Sequence, residues 1–348
     1  MDKRFQSLRE KLNAVSCLHN GPDGIGARKS FPLDLWKDLA GKDLMGILIP
    51  HEYNGLVLDL DALASAIENL VICGATMGFA LSFMIHHLVA HHFIVTHGKR
   101  ELKEIFLPKI ARGEITAAVA ASEPDIGAHP KYLKTHGEEK DATFTINGSK
   151  SFITNGPMAD LFIVLAITQK KDTRNLFSAF AIPKKTEGLF PGQPMDISIL
   201  SPCPHSTLCL ENCRISEKAI TGERDKAWET MMIPFRRVEQ VMATAIISGA
   251  MQNQAAGLAA LLKGESLDKE IKTMEALASR ASLFARNIVK NHMENSSQPI
   301  SAAGDFSDCA NDFMLHFQNI IKKTGDIPSP NQKEFNRDIT ALLRLFSP

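Results

Sequence analysis

The sequence predicts an α+β chain in three domains: an N-terminal helical domain over 1–114, a middle β-barrel or β-sandwich domain over 115–224, and a C-terminal four-helix bundle over 225–348. Three observations predict it. From about 30 to 115, apolar residues recur at the helical period. From Ile115 the pattern changes to short β-rich runs bounded by Pro, Gly and Asn. From Lys226 onward these runs stop, and 235–262 contains no Pro and only Gly249 and Gly257 as glycines.

The elements follow in order. After Phe31-Pro32, the residues Leu33, Leu35-Trp36, Leu39-Ala40 and Leu44 repeat near 3.6 and form one buried helix face. Pro50 ends that segment. Asp59 to Cys73 repeats the pattern through Leu60, Leu63, Ala64, Ile67 and Leu70-Val71, and Lys99 to Ile110 is a shorter amphipathic helix closed by Gly113. In the β block, Thr143–Ile146, then Asn147-Gly148, then Ser149–Thr154 reads as a hairpin, because Asn-Gly accepts the positive φ of a type I′ turn. Leu161–Ile167, Leu176–Ile182 and Thr207–Ile215 are further strands. The Ala-, Met- and Leu-rich stretch 235–262 is a long buried helix, followed by helices at Glu270–Met293, Ser307–Lys322 and Phe335–Leu345.

Composition excludes several classes. With 348 residues, 44% hydrophobic and 22% charged, the chain is an ordinary globular protein able to bury a large core. Lys+Arg and Asp+Glu are both 39, so no overall field favours nucleic acid or an anionic membrane. The six cysteines contain no CxxC and match neither a zinc site nor a dense disulfide framework. The start, MDKRFQSLREKL, lacks an apolar signal core, and no apolar run approaches the length of a membrane span. A soluble cytoplasmic protein with reduced thiols is the expectation.

Two runs carry the most information: AVAASEPDIGAHP from Ala118 and INGSKSFITNGPMADLFIVLA from Ile146. In this order and separation they resemble the flavin-facing strands of the acyl-CoA dehydrogenase family. FPLDLWKDLAGKDLMGILIPHEYNGL, FLPKIARGE at 106–114 and LENCRISEKAITGE at 210–223 resemble other family segments in the same order. The resemblance implies FAD as cofactor and α,β-dehydrogenation of an acyl-CoA thioester. A carboxylate removes the α-proton while the β-hydrogen passes to the flavin as hydride. It also implies electron-transfer flavoprotein as redox partner and a homodimer or tetramer, with a homologous partner subunit as a further possibility. It implies that Ala121 and Ser122 bond the flavin ring edge, that Phe152 packs on the ring and that Thr154 bonds it. Read without the resemblance, Ser122, Phe152 and Thr154 are ordinary strand residues.

The chain departs from the family pattern at several points. Gly127 is followed by Ala128 and His129, so a serine hydroxyl that the family uses near CoA is absent at Ala128. Another serine that often contacts CoA falls near Cys203, in the unusual SPCPH. The pyrophosphate loops are replaced by LLKGESLDKEI and by Lys322-Lys323-Thr324-Gly325, whose lysines read as solvated charges at a helix C-terminus, with charge toward a pyrophosphate as the competing reading. Counting from Arg337-Asp338 to the usual catalytic Glu lands on Phe346. Some family members instead carry the base on the first long C-terminal helix, and Gly249 then aligns Glu239 with it, followed by Gln240 where those relatives have Arg. On a helix, Glu239 shares a face with Met242, Ala243 and Ile246, where desolvation suits a carboxylate to accept a proton. The competing reading is a structural ion pair with Arg236. His87 and His91 are spaced to share a metal, but no HExxH accompanies them, and packed or surface histidines with no metal are the expectation. Three functions remain: a flavoprotein acyl-CoA dehydrogenase with Glu239 as base; a non-catalytic, partner-dependent subunit of a mixed complex; and, allowed by the altered CoA contacts, a relative acting on a carrier-protein thioester or another substrate.

Overall fold

A computed structural model describes residues 3–18, 30–262, 267–296, 300, 303–324 and 332–344. Among these, five α-helices come first: α1 Lys3–Leu18, α2 Leu33–Gly41, α3 Leu60–Ile72, α4 Met77–Val89 and α5 Arg100–Ala111. Local chemistry sets two of their starts. Asp59 accepts from the Ala62 N–H at 3.0 Å, and Thr76 accepts from the Phe79 N–H at 3.1 Å, each satisfying one free donor of a first turn.

Helix α4 is buried on every side and runs on as a π-helix, Ala90–Thr96. The stretch Met77–Thr96 is 20 residues long with mean hydropathy 1.4. By length and composition it is sufficient to cross a membrane, which corrects the sequence expectation. The four histidines at 86, 87, 91 and 92 break up the apolar run and hide it. Of this window, 83% is buried inside the protein, so its apolarity serves the core.

The β domain contains β1 Ala117–Ala120, β2 His136–Lys140, β3 Thr143–Thr154, β4 Leu161–Lys171, β5 Arg174–Pro183, β6 Leu189–Pro194, β7 His205–Ser216 and β8 Ile220–Thr221. The sheet order is β6-β7-β3-β2-β4-β5-β8, with β1 also on β4. Strand β1 pairs with the start of β4 in parallel, and β2 meets the same strand farther along at Ile167. The intervening excursion, residues 121–135, carries Ser122 and Ala128.

Strand β4 is buried at every position from Leu161 to Ile167, which explains its unbroken apolar run. Leu161, Ile163, Leu165 and Ile167 face the helices, while Phe162, Val164 and Ala166 face a second core inside the sheet. Phe144 of β3 and Phe180 of β5 meet in that inner core with ring centroids 5.1 Å apart. Two strands lie between β3 and β5, so the sheet must curl to bring them together.

The expected hairpin at Asn147-Gly148 does not form. Strand β3 continues through both residues, pairing with β7 along most of its length. Opposite Asn147, β7 carries one extra residue, and the Asn147 Oδ1 accepts from the Asn212 N–H at 2.7 Å. Gly148 is required for a different reason. Its φ is +148°, and a Cβ there would lie 2.7 Å from Thr135 Cα. The tight turn is instead at Asp141-Ala142, whose φ angles of 50° and 56° and flanking Lys140–Thr143 pair make a two-residue loop of primed type.

Four helices follow among the described residues: α6 Ile233–Leu261, entered through a π turn at Trp228–Met232, then α7 Asp268–Glu294, α8 Ala303–Thr324 and α9 Gln332–Leu343. Helix α6 packs on α3, α4 and α7. Gly249 permits the closest approach, since a Cβ would meet the Glu68 carbonyl oxygen at 2.7 Å. Asp338 of α9 is buried and accepts from the Leu200 N–H at 2.9 Å, tying α9 to the loop before β7.

Candidate active site

A cleft of about 490 Å³ lies between the β1–β3 wall and the start of α6. It brings together Ala121, Ser122, Ala128, Phe152, Thr154, Glu239 and Gln240. These come from three separate sequence regions and comprise every candidate site residue except Cys203.

The wall is held by a buried ion pair. Lys150 Nζ lies 3.0 Å from Glu123 Oε1 and donates to the Ala121 carbonyl at 3.1 Å. Glu123 also accepts from the backbone N–H groups of Lys134 at 2.8 Å and Thr135 at 2.9 Å. Both charged groups are almost fully enclosed. Burial lowers the Lys150 ammonium to about 8, with Glu123 opposing the fall. For Glu123, burial pushes the carboxyl upward, but Lys150 and the hydrogen bonds outweigh it and leave it below the usual range. This network pins the Ala121–Glu123 turn to β3, and the Ser151 N–H donates to the Ser122 carbonyl at 2.9 Å beside it. Its sequence signal was the pairing of SEP with GSKSFIT.

Phe152 occupies a strained position. Strand β3 carries an extra residue between the Lys150–Leu208 and Ile153–Ser206 pairs. The Phe152 backbone has φ 53°, in the left-handed region that a bulky side chain disfavours, and the residue is 59% exposed. The bulge thus turns an aromatic ring out of the sheet into the cleft. The next residue but one, Thr154, is partly buried and faces His205 of β7.

Glu239 stands on the α6 side of the cleft. It is partly buried, and desolvation pushes its carboxyl up to about 7, with Arg236 pulling it only partly back. Arg236 is exposed and makes no direct ion pair with Glu239 among the described residues, which disfavours the structural-pair reading. Gln240 lines the same cleft.

Cys203 does not reach the cleft. It is buried, its Sγ lies 3.9 Å from Ser82 Oγ, and burial raises the thiol to about 12. The SPCPH loop folds back onto α4, where Gly78 packs against Leu200 and Ser201. Among the described residues, Cys203 is thus packed against α4 rather than lining this cleft. His87 of α4 and His91 of the following π-helix turn to backbone carbonyls, whereas buried His86 has no hydrogen-bond partner among the described residues. His87 Nδ1 and Nε2 lie 2.9 and 3.0 Å from the Phe83 and Leu44 oxygens, and His91 Nδ1 lies 3.3 Å from that of Leu48. Lys323 pairs with Glu270 of α7 on the surface, which favours the solvated-charge reading of the α8 lysines. Gly325 and Phe346 lie outside the described residues.

A larger cavity of about 590 Å³ lies between α1, α3 and α7. Its buried Glu68 accepts from Ser248, from Gln252 at 2.8 Å and from Ser282 at 2.6 Å, and lies 3.5 Å from Arg286.

The chain is similar to known proteins in sequence and fold. Residues 18–114 match the family model for the acyl-CoA dehydrogenase N-terminal domain, and 118–213 match that for the middle domain. Over 210 residues the chain is 31% identical to a 3-(aryl)acrylate reductase of Clostridium sporogenes, covering 60% of this chain and 55% of the relative. It is 33% identical to mitochondrial isovaleryl-CoA dehydrogenase of Arabidopsis thaliana, covering 60% and 51%. The matched region spans about half the length of these relatives. A solved FAD-dependent dehydrogenase superposes with TM-score 0.84 at 22% identity, covering 100% of this chain and 94% of that one.

Proposed function

Because the chain belongs to the acyl-CoA dehydrogenase family, we propose that its cleft holds the ring system of FAD and that the protein is an acyl-CoA dehydrogenase-like oxidoreductase. The observation that carries this is the meeting of the β wall and Glu239 in one cleft. The residues present fit a flavin. Phe152 offers an exposed aromatic face at the expense of its own backbone, and the buried Ser151 hydroxyl in the cleft wall has no hydrogen-bond partner among the described residues. FAD, when bound, supplies the electron acceptor.

The chain's own residues then divide the work. Ala121 and Ser122 hold the ring edge on a wall that the Lys150–Glu123 pair keeps rigid. Phe152 supports the ring face. Glu239 accepts a proton from the carbon next to the thioester carbonyl, and a pKa of about 7 matches it to that task near neutral pH. Trp228, Met232 and Phe235 supply the apolar part of the α6 side and limit the water around the carboxylate. An acyl-CoA substrate, electron-transfer flavoprotein as acceptor and a homo-oligomer complete this reading.

The surface pairing of Lys323 with Glu270 favours a second reading, a partner-dependent subunit whose pyrophosphate contacts come from another chain. A visible spectrum of the purified protein separates the two. A flavin band at about one per chain, bleached by acyl-CoA without oxygen, supports the enzyme. No band after incubation with FAD refutes it and supports the subunit.

A further inference from the structure

Thr154 and His205 are cross-strand partners, and Thr154 Oγ1 lies 3.1 Å from His205 Nε2. The other ring nitrogen, Nδ1, lies 3.0 Å from the backbone carbonyl oxygen of Cys203. A carbonyl oxygen only accepts, so Nδ1 carries the proton. Burial lowers the affinity of this ring for a second proton, which leaves it neutral with a single N–H. Nε2 is therefore an acceptor, and the Thr154 hydroxyl donates to it. A hydroxyl has one proton. With that proton directed at His205, Thr154 presents only lone pairs to the cleft it lines.

We infer that His205, acting through Thr154 as a positioning residue, makes this point of the cleft a hydrogen-bond acceptor that selects a ligand bearing a proton there. This rests on the flavin reading, and it assigns the selected form. Two-electron reduction converts a bare ring nitrogen of a flavin into an N–H. An obligate acceptor at the ring edge holds the reduced form more tightly than the oxidised one. The site thereby raises the reduction potential of its own cofactor, a bias toward drawing electrons from substrate.

The test is the midpoint potential of the bound flavin, by reductive titration against a reference dye. His205→Asn retains a donor for the Cys203 carbonyl but is too short to accept from Thr154. Its hydroxyl is then free to donate to the oxidised ring. The expected result is a loss of about tenfold in the preference for reduced flavin, a potential about 30 mV lower. His205→Ala should shift it in the same direction if Asn disturbs the strand. In a Thr154→Val background, His205→Asn should cause no further shift, because the effect passes through the hydroxyl. An unchanged potential in both His205 variants overturns the inference while leaving the flavin reading intact. So does an equal shift in the Thr154→Val background. Failure of the parent protein to bind any flavin overturns both.

Discussion

Replacing Glu239 by Gln tests the electrostatics of the cleft separately from its chemistry. The Glu239 carboxyl has been pushed from an ordinary 4.5 to about 7, chiefly by burial. Between those values the folded protein keeps a proton that the unfolded chain has released. The resulting stability is fully present below 4.5 and is lost as pH rises through about 7. A difference of roughly 2.5 pH units, at about 1.36 kcal/mol each, is worth ~3 kcal/mol. Because the side chain reaches the cleft, solvent screening reduces this to ~2 kcal/mol. Gln has the same shape and no charge at any pH. The variant should match the parent near pH 4 and exceed it by ~2 kcal/mol near pH 8.5. For a chain of this size that is a melting-temperature gap of roughly 3 °C. Scanning calorimetry of both flavin-free proteins at the two pH values measures it. A gap that is equal at both, or larger in acid, refutes the desolvated carboxyl. Turnover of acyl-CoA should fall by at least ~100-fold in the same variant, and unchanged turnover would exclude Glu239 as the base.

Phe152→Gly should relieve a left-handed backbone and stabilise the flavin-free protein by ~1 kcal/mol, while weakening flavin retention; thermal melts and a flavin binding titration should move in opposite directions. Gly148→Ala should destabilise by ~2 kcal/mol or more, since its Cβ meets the Thr135 backbone; an unaltered urea midpoint would argue against that close approach. Lys150→Met should cost about 3–5 kcal/mol by leaving Glu123 buried without its cation, and adding Glu123→Gln should restore part of the loss in the same urea assay.

Much of the architecture was legible because periodicity survives folding. The helices around Leu63 and Gly249 and the apolar run of β4 announce their burial directly. Glu239 was picked out through the resemblance, by alignment on Gly249, and the structure sets it in the cleft beside Gln240. The hairpin was misread because Asn147-Gly148 has the composition of a turn but serves a bulge and a close backbone approach. The real turn, Asp141-Ala142, has only one residue that favours a positive φ. The burial of Cys203 away from the cleft was not legible, because the path of its loop depends on α4 and α9, which are distant in sequence. His205 gave no signal, since its effect depends on a tautomer fixed by a backbone carbonyl two residues away.

The two irregularities of β3 and β7 have opposite sense. At the first, β7 carries the extra residue; at the second, β3 does. Each alone is a frameshift between the strands, and together they cancel. Thr154 and His205 meet only because the second shift undoes the first. A one-residue deletion at either bulge should therefore misalign the far end of the ladder, whereas a matched pair of deletions, one in each strand, should bring it back into frame. Between Ile146 and Ile153, the heritable unit is the pair of strand lengths, and insertions in one lineage should be answered in the other strand.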